Sequence, residues 1–238
     1  GFMTEHLIVT EDKGARIITM RRPEKKNAIT HDMYRAMSEA IDTAQNNPKV
    51  RCFIITGGSG GVFTSGNDIE DFLENGTANV DVSRATNAVK FLYSLAHNTK
   101  PIIAAVDGIA IGIGTTMLFH CDYVLASKTA TFSTPFINLG LVPEGASSLL
   151  APRAMGHQRA FAMLVMGRKL TADDAHAQVQ LLGRALRLLV GGDAPDFVGG
   201  LLGQIDLGHR RGIALNADRF LFDNGGHWES PILSSTYV

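Results

Sequence analysis

Short, mostly apolar runs recur along this chain, and glycine follows each of the first two. Arg51-Cys52-Phe53-Ile54-Ile55-Thr56 is the first, with glycines from Gly57 to Gly66 behind it. Pro101-Ile102-Ile103-Ala104-Ala105-Val106 is the second. It leads through a loop, Asp107 to Gly112, into a helix of small residues ending near His120. Cys121-Asp122-Tyr123-Val124-Leu125-Ala126 is the third. Apolar runs this short, without polar alternation, read as strands buried on both faces, as in parallel sheets. Strand, glycine-rich loop and helix recur about every 50 to 60 residues. That is an α/β plan in which loops at strand ends carry function.

The remaining elements fall around this frame. Leu7-Ile8-Val9-Thr10 reads as a strand, Glu11 to Gly14 as a turn and Ala15 to Arg21 as the return strand. Thr30 is placed to cap a helix from His31 to about Gln45, with Met33, Met37, Ile41 and Ala44 on one face. Ile69–Leu73 begins another helical stretch, and Val82–His97 reads as a longer, amphipathic one. Beyond Thr134 no further strand is expected, and helices are predicted at 143–154, 157–166 and 171–182. The expected division is a core over 3–142 carrying the glycine loops and a mainly helical region over 143–238. From Val179 onward the pattern changes, with ten of the 25 glycines and no lysine.

Composition narrows the function classes. Hydrophobic residues are 45% and charged residues 19% of 238, enough apolar material for a substantial core. Lys and Arg number 22 against 23 Asp and Glu, so the net charge of −1 removes the simplest case for nucleic acid or an anionic membrane as partner. No apolar run approaches the ~20 residues of a spanning helix. The start, Gly1-Phe2-Met3-Thr4-Glu5-His6, lacks a cationic and apolar leader, so no signal peptide is expected; Gly1 and Phe2 read as an appended scar. Cys52 and Cys121 lie far apart in strand-like segments, which fits a reducing compartment and, by default, the cytoplasm. The eight histidines show no ligand spacing, so no metal is expected.

Two loops could do chemistry. Phe63-Thr64-Ser65-Gly66-Asn67-Asp68 and Gly108-Ile109-Ala110-Ile111-Gly112-Ile113-Gly114 both combine glycine with small residues after a buried strand. Such loops can turn backbone N–H groups into a cavity, and two donors converging from different loops would make an oxyanion hole. Glycine that merely serves tight turns would give the same letters. The second loop is Gly-x-x-x-Gly-x-Gly, not the dinucleotide pattern, and no Walker lysine follows any glycine loop. Gly57-Gly58-Ser59-Gly60-Gly61 matches Gly-x-Ser-x-Gly only formally, because an extended Val62-Phe63 follows instead of a helix. Glu144, between Pro143 and Gly145 at the edge of an apolar stretch, is either a desolvated general base or an ordinary first-turn acid.

Five stretches stand in one order over roughly residues 7–178: Arg22-Pro23-Glu24-Lys25-Lys26-Asn27-Ala28-Ile29, Ser65-Gly66-Asn67-Asp68, Lys100 to Gly108, Cys121-Asp122 and Ala130-Thr131-Phe132. Together they resemble the crotonase (enoyl-CoA hydratase/isomerase) superfamily. The resemblance implies a spiral of ββα units with a helical C-terminal region. It implies an acyl-CoA thioester as substrate, no separate cofactor, and a homo-oligomer, either a trimer or a pair of trimers. It makes Asn67 and Ile113 the backbone oxyanion donors. Lys25, Lys26 and Ala28 become contacts to CoA, and Ser65, Gly66, Asp68, Gly112 and Phe136 become part of the substrate site.

Hydratases of that superfamily use two glutamates, whose positions here fall on Thr116 and Phe136. Neither residue can act as acid or base. Ser65-Gly66-Asn67-Asp68, Thr134-Pro135-Phe136 and Pro143-Glu144-Gly145 resemble instead the peroxisomal-type 3,2-enoyl-CoA isomerases, in which one Glu of the Pro-Glu-Gly segment moves the proton. That role falls on Glu144. After Gln178 the sequence departs from the family pattern, so altered oligomer contacts and an altered lid over CoA are expected, with a shifted reading frame as one origin. A hydratase-like enzyme of other specificity, or a weakly catalytic CoA-binding or scaffold protein, are the alternatives.

Overall fold

The computed structural model describes residues 4–71, 86–179, 187–191, 221–222 and 228–229. Two sheets are interleaved. The larger contains β1 (Leu7–Asp12), β2 (Ala15–Met20), β3 (Cys52–Thr56), β5 (Ile102–Val106), β7 (Tyr123–Ser127) and β10 (Arg187–Gly191), side by side in that order. The smaller contains β4 (Val62–Thr64), β6 (Ile109–Ile111), β8 (Thr131–Ser133) and β9 (Leu170–Thr171). Each repeat thus gives one strand to each sheet, β3 then β4, β5 then β6, β7 then β8. Every coil shifts the chain by one parallel strand, Ile103 pairing with Tyr123 and Ile109 with Thr131. The result is the expected spiral of ββα units.

Local chemistry explains the elements. β1 and β2 form an antiparallel hairpin whose turn is only Lys13-Gly14, both at positive φ, 47° and 86°. Glu11 and Asp12, expected in the turn, are therefore strand residues paired with Arg16 and Ala15. Thr30 caps α1 (His31–Asp42), its hydroxyl accepting from Met33 N–H at 3.3 Å, and the predicted face of Met33, Met37, Ile41 and Ala44 is wholly buried. α2 (Asn87–His97) packs on α1 through Phe91 and Leu95.

The central strands separate two apolar layers. Phe53, Ile55, Ala104, Val106, Val124 and Ala126 face the main core, while Cys52, Ile54, Ile103, Ala105 and Leu125 face a smaller cluster under β2. This two-sided burial is what the uninterrupted apolar runs require. The main core continues past residue 142. Ala151 and Met155 of α4 (Ser147–Met155), Ala160 and Met163 of α5 (His157–Leu164) and Ala172 and Ala175 of α6 (Ala172–Val179) all belong to it.

Three expectations need correction. Strands do not stop at Thr134, because β9 pairs antiparallel with β8 and β10 runs parallel to β7. β9 has two residues, too few for any periodicity to reveal. The helix expected from 143 begins at Ser147, because Gly145 and Ala146 are both left-handed, φ 63° and 54°. The first helix ends at Asp42 rather than Gln45. Most of the expected helix start at Ile69–Leu73 is helical, at 69–71, while residues 72–85 and the end of the 171–182 helix lie outside the described residues. So does most of the stretch after Gln178 that departs from the family pattern.

Candidate active site

The two glycine loops meet. β4 delivers Ser65 to Asp68, and β6 delivers Gly112 to α3 (Ile113–Thr116). Gly66 sits at φ 94°, where a Cβ would lie 2.9 Å from Ile111 O and 4.0 Å from Gly112 Cα. Gly114 is equally enclosed, since a Cβ there would run into the Thr64 side chain. Glycine is therefore required at both places by close approach, not by turn geometry alone.

An amide is left over in each loop. Ile29 N–H donates to Gly66 O at 2.8 Å, and Asp68 N–H donates to Ile29 O at 3.0 Å. In this parallel bridge the middle residue, Asn67, turns its own N–H away from Ile29. Gly112, at φ 58° and ψ −121°, donates to Ser133 O at 2.9 Å and accepts from Thr115 and Thr116 N–H. Ile113 N–H opens α3 and has no partner within the helix. Among the described residues, neither Asn67 N–H nor Ile113 N–H donates to a protein acceptor.

Glu144 is bonded to the helix that Ile113 opens. Thr116, fully buried, is one turn along α3 from Ile113, about 5 Å away by helical geometry. Its hydroxyl donates to Glu144 Oε1 at 2.5 Å. The Pro143-Glu144-Gly145 segment is fixed from several sides. Ser147 Oγ donates to Glu144 O at 2.6 Å, and the His120 ring Nε2 lies 2.8 Å from Gly145 O. A Cβ on Gly145 would lie 3.2 Å from Thr116 Oγ1 and 3.5 Å from Leu92. Burial pushes the Glu144 carboxyl above its ordinary range, and the Thr116 hydrogen bond pulls it partly back. Tyr34 of α1, 4% exposed, donates its hydroxyl to Asn67 Oδ1. Burial, and then the charge of Glu144, hold its phenol well above the usual value.

The residues read as CoA contacts come together along the first loop. Ser65 N–H donates to Lys26 O at 3.0 Å, and Thr64 Oγ1 donates to Asn27 O at 2.6 Å. Lys25 and Lys26 are exposed, Lys25 paired with Glu70 at 2.9 Å and Lys26 left-handed at φ 52°. Ala28 is buried. Asp68 is buried and ion-paired to Arg22, whose guanidinium holds the carboxyl below the ordinary range. Its charge is thus already answered within the chain. Phe136 is a member of the main core, 5% exposed. Sequence reasoning missed Arg22, Asn27, Tyr34, His120 and the bonding role of Thr116. Asn27 Nδ2 reaches the carbonyls of Gly57, Val62 and Phe63, knitting the loop shut. No local pattern announces a contact made across thirty residues. Among the described residues no group of three His, Cys, Asp or Glu is arranged to hold a metal.

The family model for enoyl-CoA hydratase/isomerase matches residues 10–179. The chain belongs to the enoyl-CoA hydratase/isomerase family. Human enoyl-CoA delta isomerase 2 is 40% identical over 181 residues, 75% of this chain and 45% of the human protein. Mouse peroxisomal enoyl-CoA delta isomerase 3 is 36% identical over 74% of this chain and 55% of its own length. This chain therefore spans about half the length of these two relatives. Among solved structures, Pseudomonas aeruginosa OdaA superposes with a TM-score of 0.71 at 40% identity, covering 83% of this chain and 75% of the other.

Proposed function

We propose that this family member is a 3,2-enoyl-CoA isomerase that uses Glu144 as its single proton carrier. One observation carries the reading: a half-buried carboxyl group, its proton affinity raised by desolvation, is held by Thr116 one helical turn from a free amide of the second loop. Glu144 takes a C2 proton, acidified by the adjacent thioester. The C2–H electron pair moves into a C2–C1 double bond, and negative charge collects on the thioester oxygen. Asn67 N–H and Ile113 N–H donate to that oxygen, an interaction stronger for the enolate than for the neutral carbonyl. Return of the same proton at C4 shifts the double bond from C3 to C2, and Glu144 is again a carboxylate. Thr116 and Phe136, neither able to act as acid or base, stand where the resemblance to hydratases puts two glutamates.

The test is direct. On this reading purified protein should convert a 3-enoyl-CoA such as 3-hexenoyl-CoA to the trans-2 isomer, followed by absorbance of the conjugated thioester. Glu144→Gln keeps the size of the side chain and removes the base, so turnover falls about 10²–10⁴-fold while binding of the ester is retained. Unchanged turnover in that variant would refute the role of Glu144. Hydration of 2-enoyl-CoA without isomerisation would assign the site to the hydratase alternative.

A further inference from the structure

Tyr34 has no part in the mechanism above, yet it joins the pieces of that site. It lies on the first turn of α1, with its ring centroid 5.7 Å from that of Phe91 on α2. Its hydroxyl crosses to the first glycine loop and donates to Asn67 Oδ1. We infer that Tyr34 is a positioning residue for the isomerase reaction: its hydroxyl holds the Asn67 side chain so that the Asn67 N–H stays aimed at the enolate oxygen. The inference rests on the isomerase reading.

The need for such a tether follows from the loop itself. The backbone is held on either side of Asn67, at Gly66 O and Asp68 N–H, both bonded to Ile29. Those two points form an axis about which the Gly66–Asn67 peptide can rock. Gly66, without a Cβ and at φ 94°, resists that motion less than another residue would. Asn67 is exposed, so packing does not hold it either. The Tyr34 bond supplies a third point off the axis. A second fastener lies one turn away on α1 and four residues further along the chain, in the helical turn after the loop. There the Asp71 carboxylate accepts from His31 N–H at 2.7 Å and faces His31 Nδ1 at 2.8 Å. Thus positions 31 and 34 of one helix clamp position 67 of the loop and position 71 of the helical turn that follows it. The phenol is kept protonated by burial and by the nearby Glu144 charge, so it remains a donor while the base is ionised.

An oxyanion donor acts through its aim. Displacement by an ångström costs rate while leaving the remote CoA contacts, and hence binding, intact. Tyr34→Phe removes only the hydroxyl. With 3-hexenoyl-CoA we expect kcat to fall about tenfold or more with KM little changed. Bound trans-2-hexenoyl-CoA gives a second readout, because the infrared stretch of its thioester carbonyl drops in frequency when the amides polarise it. Tyr34→Phe loses part of that drop. Asn67→Ala deletes the acceptor and keeps the backbone amide, so it reproduces both losses. The double variant is no worse than either single one, because both remove one bond.

A Tyr34→Phe protein with kcat and carbonyl frequency within about twofold and within error of the parent overturns the inference, as do losses that multiply in the double variant. If Tyr34→Phe does not fold, Asn67→Ala decides by the same two measurements. Failure here is distinct from failure of the isomerase reading. A parent protein with neither turnover nor carbonyl shift sinks that reading. Normal parent turnover beside unaffected tyrosine and asparagine variants sinks only the tether. Glu144→Gln separates the two further, losing turnover while keeping the carbonyl shift.

Discussion

A single hydroxyl tunes the proton affinity of Glu144, the base in the proposed reaction. Thr116 Oγ1 donates to Glu144 Oε1, and a donor of this kind favours the ionised carboxylate. Desolvation acts in the opposite sense and is the larger effect. Thr116→Val keeps the shape of a fully buried side chain and removes the donor. The Glu144 pKa then rises further, so a higher pH is needed to ionise the base. The acid limb of the kcat/KM profile should move to higher pH, with activity lost most at the acid end and least on the alkaline plateau. A profile measured on the variant that keeps its limb in place, or moves it down, would remove Thr116 from the account. The sequence could not show this bond. Position 116 read as a missing acid, and only folding brings it to a residue 28 positions away.

Elements decide whether the two loops meet at all. What was legible came from chemistry repeated along one segment: Thr30 ahead of a 3.6-residue apolar stripe, or unbroken apolar runs of four residues in β3 and five in β5. What was illegible depends on a neighbour. β9 exists because Leu170 pairs with Phe132, and α4 starts late because Gly145 and Ala146 are left-handed. Glycine in the first loop was ambiguous between turn and cradle until Ile111 O stood where a Cβ would be. Gly66→Ala tests that reading. It puts a side chain at φ 94° against backbone, costing about 1–3 kcal/mol in strain and forcing the loops apart. Gly156→Ala is the control, since φ is 84° there and no atom lies within 4 Å of the new Cβ. Both variants should melt at lower temperature, but only Gly66→Ala should lose kcat, about tenfold or more beyond what its unfolded fraction explains. Equal activity in the two variants would mean that the close approach of the loops is irrelevant to catalysis.

At the scale of the whole molecule, the question is whether the helices after residue 142 fold with the spiral or beside it. The end of the obvious strands and the helical patterns that follow them placed a boundary there. The apolar cluster runs through it, because Met163 and Leu170 lie in the same core as Phe53 and Val106. A buried polar bond crosses it too: Thr134 Oγ1 donates to Met163 O at 2.8 Å. Glu144, at the junction, is held by Thr116 from the spiral and by Ser147 from α4, while the His120 ring lies against the next carbonyl, Gly145 O. If that shared core makes one cooperative unit, a cavity on the helical side must be felt in the central strands. Met163 is 1% exposed, and Met163→Ala should cost about 2–5 kcal/mol. Native-state hydrogen exchange reads the consequence locally. The slow amides of β3 and β5 should speed up by the same factor as those of α4 and α5, because all would exchange through one opening. Acceleration confined to 147–179, with Cys52–Thr56 and Ile102–Val106 unchanged, would instead make the helical region a separate folding unit that docks on a finished spiral. In that case the base would ride on an element able to open without unfolding the loops it serves.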